Sequence, residues 1–184
     1  MLNRILALLL IIILLPFLIL ISISILIFEG RPVFFIQKKY GKDHKVFNFY
    51  KFRTMKKNSP QLPTEEFKNS DLYISKIGTT LRFWSIDELP QLYNVLKGDM
   101  NFVGPRPCMV ENEEIIKKLR ESKGINKIKP GITGLAQVNG RDMNSYEQKV
   151  ALDYEYLKNS NFILDLKIVI KTFFVVLFPR NVKH

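Results

Sequence analysis

The chain opens on an unbroken apolar run. From Ile5 to Phe28 no residue is charged, with Arg4 before the run and Glu29 after it. This exceeds the roughly 20 residues a helix needs to reach across a bilayer core, so the pattern predicts a membrane-inserted helix. A cleaved secretory signal has a shorter apolar region, about 7 to 15 residues, and a small-residue cleavage site. Here the run ends in "ILIFEGRP". Pro16 lies near its middle and lacks the amide proton of a helical hydrogen bond, so it bends the helix. The Ser22 and Ser24 hydroxyls are expected to satisfy carbonyls freed there. These residues leave two forms open: a kinked helix that spans, and a hairpin that enters and leaves on one face.

Beyond the run the pattern shortens. "RPVFFIQKKYGKDHKVFNFYKFRTM" has apolar runs around Gly41-Lys42-Asp43 and reads as a short hairpin or extended pair lying on the membrane surface. "KNSPQLPTEEF" is a polar, proline-bearing loop. Leu89, Leu92, Tyr93 and Leu96 predict a helix over 86–97 that stops at Gly98. A second helix is expected over 108–122, a turn-rich loop at "IKPGITGLAQVNGR", and a helix at "SYEQKVALDYEYLKN". The last stretch, "FILDLKIVIKTFFVVLF", is apolar but interrupted by Asp165, Lys167 and Lys171. It suits a helix lying in the membrane interface, with a buried core helix as the alternative.

Charge narrows the partners. The net charge of +11 points to an anionic partner such as phosphate esters, anionic lipid or nucleic acid. The basic residues of 31–57, namely Arg31, Lys38, Lys39, Lys42, Lys45, Lys51, Arg53, Lys56 and Lys57, face Asp43 as the one acid. Such a flank beside a membrane helix places the following domain in the cytoplasm and argues for lipid headgroups, so nucleic acid is not expected. Cys108 is the lone cysteine, and His44 and His184 lie far from it in sequence, which excludes an intrachain disulfide and a Cys-His metal site. No GxGxxG or Walker pattern occurs.

Against this background "RFWSIDELPQLYNVLKGDMNFVGPRP" sets Asp87 and Glu88 between Arg82 and Arg106. A structural reading is available: Ser85 and Glu88 have capping-box spacing, or Asp87 caps a helix whose first turn holds Pro90. The chemical reading is that an ionised carboxylate is a nucleophile needing no base, and phosphorus is a suitable target. Bringing a carboxylate to a diphosphate requires cations. Arg82 and Arg106 flank the pair, Lys51, Arg53 and Arg141 lie in other segments, and Mg²⁺ held by the two carboxylates and phosphate oxygens would cancel more charge. For Lys51 and Arg53 a headgroup contact competes with substrate binding.

With these motifs in order, the chain closely resembles the small monotopic polyprenyl-phosphate phosphoglycosyl transferases of the PglC type, within the bacterial sugar transferases. The likeness covers the apolar segment with Pro16, "VFNFYKFRTM", "LRFWSIDELPQLYNVLKGDMNFVGPRP", "KPGITGLAQVNGR" and "LDYEYLKN". It implies an α+β, mainly helical fold with little β structure. Residues 1–30 would form a re-entrant membrane helix broken at Pro16, and 31–184 a cytoplasmic catalytic domain with interfacial amphipathic helices.

The resemblance also implies a reaction at the bacterial inner membrane. Asp87 would attack a UDP-sugar, release UMP and form a covalent phosphosugar-enzyme, from which undecaprenyl phosphate would take the sugar phosphate. Glu88 would help hold Mg²⁺ or prepare the acceptor, and Arg82, Arg106 and Arg141 would bind phosphate. Asn3 stands where an acid is common in the family. The sugar and the oligomeric state stay open, a homodimer being one option. The competing function is a catalytically inactive membrane scaffold for glycan assembly. A multi-spanning transferase would need several apolar segments, and one is present.

Overall fold

A computed structural model describes residues 1–57, 59, 72–111, 113–140 and 145–178. They are mainly helical and carry two small two-stranded sheets. The chain folds as two compact units, Met1–Gln37 with Asn48–Gly98, and Lys38–Phe47 with Asp99–Lys183.

The first unit begins with α1 (Leu2–Glu29), a single helical element with Pro16 inside it. Among the described residues it is the one helix long and apolar enough to cross a membrane, and most of its residues are exposed. The expectation for Ser22 and Ser24 is corrected. Their hydroxyls donate to the carbonyls of Leu18 and Leu20, one turn back, and not to that of Ile12, which Pro16 leaves without its amide partner.

The buried stripe of α1 is short. Ile21 and Ile25 pack with Phe52 and Leu81, bordered by Leu18, Val33, Ile77 and Ile86. Each such side chain contributes about 1.5–3 kcal/mol on full burial. Polar contacts hold both ends of α1 to this same unit. Arg4 Nη2 donates to the Lys97 carbonyl at 2.7 Å, and Arg53 Nη2 donates to the carbonyls of Glu29 and Gly30, each at 2.7 Å. Cations at a helix C-terminus satisfy its orphan carbonyls and its partial negative charge.

The hairpin forms as expected. β1 (Phe34–Tyr40) and β2 (Val46–Phe52) pair across a turn at Lys42–His44, where Asp43 and His44 take positive φ. After it, α2 (Lys76–Phe83) starts at Ser75, whose hydroxyl accepts from the Gly78 amide. Most of the polar segment expected as a loop at 57–67 lies outside the described residues. The helix expected over 86–97 is divided. Ile86–Glu88 is a single tight turn, and α3 (Gln91–Lys97) follows Pro90 and ends at Gly98.

In the second unit β3 (Asn101–Val103) runs parallel to β4 (Gly131–Thr133), with Asn101 opposite Gly131 and Val103 opposite Thr133. A Cβ on Gly131 would stand 2.1 Å from the Gly104 amide nitrogen, so the strands approach as only glycine allows. The turn-rich loop therefore contains β4 and then the short α5 (Leu135–Val138). The helix expected from residue 108 starts later, as α4 (Glu114–Ser122), because Met109 bridges Lys39 in extended conformation. α6 (Tyr146–Asn159) matches the pattern and opens on a capping box between Ser145 and Gln148.

The final helix, α7 (Phe162–Leu177), is not the core helix that its composition also allowed. Ile168 alone is buried, packed with Val103, Val138 and Tyr156, while Phe162, Ile163, Leu166, Val169, Ile170, Phe173, Phe174 and Leu177 are exposed. Asp165 interrupts the apolar pattern because it accepts from the Tyr156 hydroxyl at 2.8 Å. Burial, reinforced by that carboxylate, pushes the Tyr156 phenol above its ordinary range.

Candidate active site

The acid pair sits on a bend. Ser85 adopts the left-handed conformation (φ 54°), uncommon for a residue with a side chain, and directs the chain into the Ile86–Glu88 turn. Asp87 is 5% exposed and Glu88 is partly buried. The capping alternative does not hold for this turn. Ser85 gives no side-chain cap and α3 begins after Pro90, whose missing amide costs nothing at a helix start.

A buried carboxylate pair needs a counter-charge, since ionised groups out of water are costly unless paired. Lys51, from β2, provides it. Its ammonium donates to Glu88 Oε1 at 2.8 Å and lies 3.4 Å from Asp87 Oδ2. The first distance is that of a strong charge-assisted hydrogen bond and the second is long for one. Glu88 is thus the tighter partner of Lys51, and Asp87 shares the same cation more loosely. The ammonium also lies 5.9 Å from the centre of the Phe49 ring.

Arg82 emerges from the last turn of α2 and donates from Nε to Thr54 Oγ1 at 2.9 Å. Thr54 is the place where α2 docks. Its carbonyl accepts from the Ser75 amide, and a Cβ on Gly78 would stand 2.0 Å from that oxygen. Arg53, two residues beyond Lys51, is 7% exposed and serves the end of α1 through Nη2. Its Nη1 is buried without a hydrogen-bond partner among the described residues.

The remaining expected residues are elsewhere. Arg106 belongs to the second unit, where it is exposed and lines an open pocket with Tyr40, Lys117, Arg120 and Pro130. Arg141 lies outside the described residues. Beneath Arg106 is a network that the motifs did not signal. Arg120 donates from Nη1 to the Arg106 carbonyl at 2.6 Å and to Cys108 Sγ at 2.8 Å, and from Nη2 and Nε to Asp153 Oδ2 at 2.6 and 2.9 Å. Burial opposes the Arg120 charge, and the Asp153 carboxylate outweighs it, so the guanidinium is held charged. Burial pushes the Cys108 thiol up despite that neighbour.

Among the described residues no group of three or more His, Cys, Asp or Glu side chains could hold a metal. Two adjacent carboxylates nonetheless fit Mg²⁺ chemistry, because Mg²⁺ is commonly held by one or two carboxylates with substrate phosphates and water completing the shell.

Two further polar residues escaped sequence reasoning. Gln91 and Asn94 are both fully buried on α3. With Asp87 they follow a spacing of four and three, the signature of one helical face, and that spacing was the available signal.

Comparison with known proteins was consistent along the chain. The family described as bacterial sugar transferase matches residues 1–179. A protein of Bacillus subtilis (strain 168), "Uncharacterized sugar transferase EpsL", is 42% identical over 158 residues, covering 84% of this chain and 75% of that protein. The "UDP-glucose:undecaprenyl-phosphate glucose-1-phosphate transferase" of Escherichia coli (strain K12) is 38% identical over 178 residues, covering 94% of this chain and 38% of that protein. The "Undecaprenyl-phosphate galactose phosphotransferase" of Salmonella typhimurium is 37% identical over 164 residues, covering 81% of this chain and 34% of that protein. The chain thus spans three quarters of the first of these relatives and little more than a third of the other two.

Proposed function

The chain belongs to the bacterial sugar transferase family, and on that premise we propose that it transfers a sugar-1-phosphate from a UDP-sugar to undecaprenyl phosphate and releases UMP. The observation that carries this reading is the Asp87-Glu88 pair, Asp87 buried and Glu88 partly so, held by Lys51 within the unit that also contains the apolar helix α1.

The chemistry runs in two displacements. An Asp87 carboxylate oxygen attacks the β-phosphorus of the donor, and the bond from that phosphorus to the bridging oxygen breaks. UMP departs with the bridging oxygen, leaving the sugar phosphate esterified to Asp87. A phosphate oxygen of undecaprenyl phosphate then attacks the same phosphorus, the bond to Asp87 breaks, and undecaprenyl-diphosphate-sugar forms. Asp87 is returned as a free carboxylate, so the cycle is ping-pong and needs no net proton transfer.

Each neighbour of the dyad has a part. Lys51 keeps the paired acids compatible with burial, its ammonium standing closer to Glu88 than to Asp87. Arg82, whose Nε donates to Thr54 Oγ1, is proposed as a phosphate binder from its place in the motif. For Arg106 and Arg141 a phosphate-binding part is proposed from their motifs alone and not from a place beside the dyad. Mg²⁺, when bound, would add positive charge at the diphosphate, and Asp87 and Glu88 are the residues to hold it.

The membrane arrangement follows from the same unit. We read 1–30 as a re-entrant segment bent at Pro16, with 31–184 on the cytoplasmic face of the inner membrane. Its support is that Arg4 near one end of α1 and the Glu29 and Gly30 carbonyls at the other are both bonded to groups of the unit bearing the dyad. A lipid phosphate lies at headgroup level, where such a segment would keep the acids. The exposed apolar side chains of α7, taken by themselves, suit a helix lying in a membrane interface.

The test is UMP release by the detergent-purified full chain with undecaprenyl phosphate and Mg²⁺ over a panel of UDP-sugars, beginning with glucose and galactose donors and including N-acetylated ones. Release from one donor that is lost in Asp87→Asn supports the reaction. A stoichiometric burst of UMP without acceptor supports the covalent step, and release that depends strictly on acceptor overturns it. No release from any donor by folded protein returns the chain to the scaffold reading, and release that survives Asp87→Asn removes the nucleophile from Asp87.

A further inference from the structure

We propose that Asn94 is a positioning residue for the dyad, acting through Lys51. This rests on the function proposed above for Asp87 and Glu88. Asn94 is fully buried on α3 and spans two elements. Its Oδ1 accepts from the Tyr50 amide at 3.2 Å, and its Nδ2 donates to the Asn48 carbonyl at 2.6 Å. One carboxamide therefore replaces two partners for the backbone of β2 and fixes that strand against the helix that follows the acids.

The position on the strand gives this contact its consequence. Lys51 is the residue after Tyr50, and its ammonium closes the 2.8 Å bond to Glu88. Asp87 and Asn94 lie at the two ends of one short stretch, joined through Pro90 and α3. Lys51 thus leaves β2 immediately beside the place where Asn94 holds it and returns to the acids that precede Asn94 by one and a half to two helical turns. The result is a closed loop of contacts from Asn94 to Tyr50, Lys51, Glu88 and back along the chain.

Asparagine suits this task in a way that few side chains do. It must accept from an amide and donate to a carbonyl two residues apart on the same strand, at a site closed to bulk solvent. A carboxylate would repel the Asn48 carbonyl, and an apolar side chain would leave both backbone groups unsatisfied. Neither hydrogen bond of Asn94 goes to an acid, so its influence on the reaction passes through the strand that carries Lys51. Small misplacements of this kind are costly in catalysis, about 100-fold for 1 Å in favourable cases.

A double-mutant cycle on the full chain tests this by UMP release, with kcat and KM for the UDP-sugar measured separately. Asn94→Leu is expected to lower kcat about tenfold, a partial misplacement on that scale, with little change in KM. In a Lys51→Met background the same substitution is expected to cause no further loss, because the residue it acts through is gone. Equal fold-losses in both backgrounds, or no loss in the first, overturn the proposal, since a general weakening of the fold would act in both. Thermal melting is run on each variant, Asn94→Ser replaces the leucine variant if the latter does not fold, and single-turnover UMP release at high enzyme concentration replaces steady-state turnover if the methionine variant is too slow to compare. Asp87→Asn in the same assay keeps the two claims apart. Activity surviving it overturns the reaction assigned to Asp87, whereas the coupling of Asn94 to Lys51 stands or falls on the cycle.

Discussion

Removing Asp153 should destabilise the chain more than any exposed substitution. The carboxylate is 1% exposed and accepts two hydrogen bonds from Arg120, which is itself 8% exposed. Asp153→Ala leaves a guanidinium in a buried site with its strongest partner gone. Two charge-assisted bonds contribute about 1.5–3 kcal/mol each. Breaking a buried pair from one side costs about 3–5 kcal/mol, in agreement. For a protein of this size each kcal/mol lowers the melting temperature by about 2–4 °C, so the expected fall is about 6–20 °C. The assay is thermal unfolding in one detergent at a fixed scan rate, followed by intrinsic fluorescence. The charge argument also predicts that Arg120→Met with Asp153→Leu recovers most of the loss, because a buried pair contributes little net relative to apolar residues of similar volume. A fall below about 3 °C in Asp153→Ala would refute the reasoning, as would a double variant no more stable than the single one.

Three further outcomes are expected. Gly98→Ala should destabilise by at least about 1 kcal/mol in the same melting assay, since Gly98 has φ +90° and a Cβ there would meet Arg4 Nη2 at 2.1 Å; wild-type stability would contradict the close approach of Arg4. Cys108 should resist a thiol-labelling reagent at neutral pH in the folded protein and react once denatured, because burial raises its pKa and keeps it a thiol rather than the reactive thiolate; rapid native labelling, read by mass spectrometry, would be the contrary result. Ser145→Ala should cost about 1 kcal/mol by removing the capping box at the start of α6, and an unchanged melting curve would show that this helix end is held by other contacts.

Much of the site was legible because its chemistry is written in adjacent residues. Asp87 and Glu88 stand together, a basic excess surrounds them, and the apolar run from Ile5 to Phe28 needs no tertiary knowledge to be read as a membrane segment. Helices with a clear period and a cap, such as α6, followed their pattern. Failures came where a neighbour in space overrode the local signal. Residues 108–110 have helical composition but are drawn out against Lys39, and "IKPGITG" reads as loop although the close packing of Gly104 and Gly131 makes it a strand.

The partners of charged groups were the least legible feature, and the physical reason is visible in β2. Lys51, in β2, and Arg53, one residue past its end, carry the same charge and lie two residues apart. Nothing in the sequence separates their tasks, yet Lys51 takes the carboxylates of the dyad whereas Arg53 takes the Glu29 and Gly30 carbonyls. The division matches their donors. A compact ammonium suits the shared oxygens of two acids, and a planar fork suits two carbonyls at a helix end. Exchanging the two residue types would therefore be disruptive although the net charge stays the same. Lysine at position 53 can offer only one flexible centre to two carbonyls, and arginine at position 51 would put a larger, planar head where a compact ammonium now bonds Glu88 Oε1. By this argument residues 51–53 link the end of α1 to Asp87 and Glu88, and the identity of each cation matters as much as its charge.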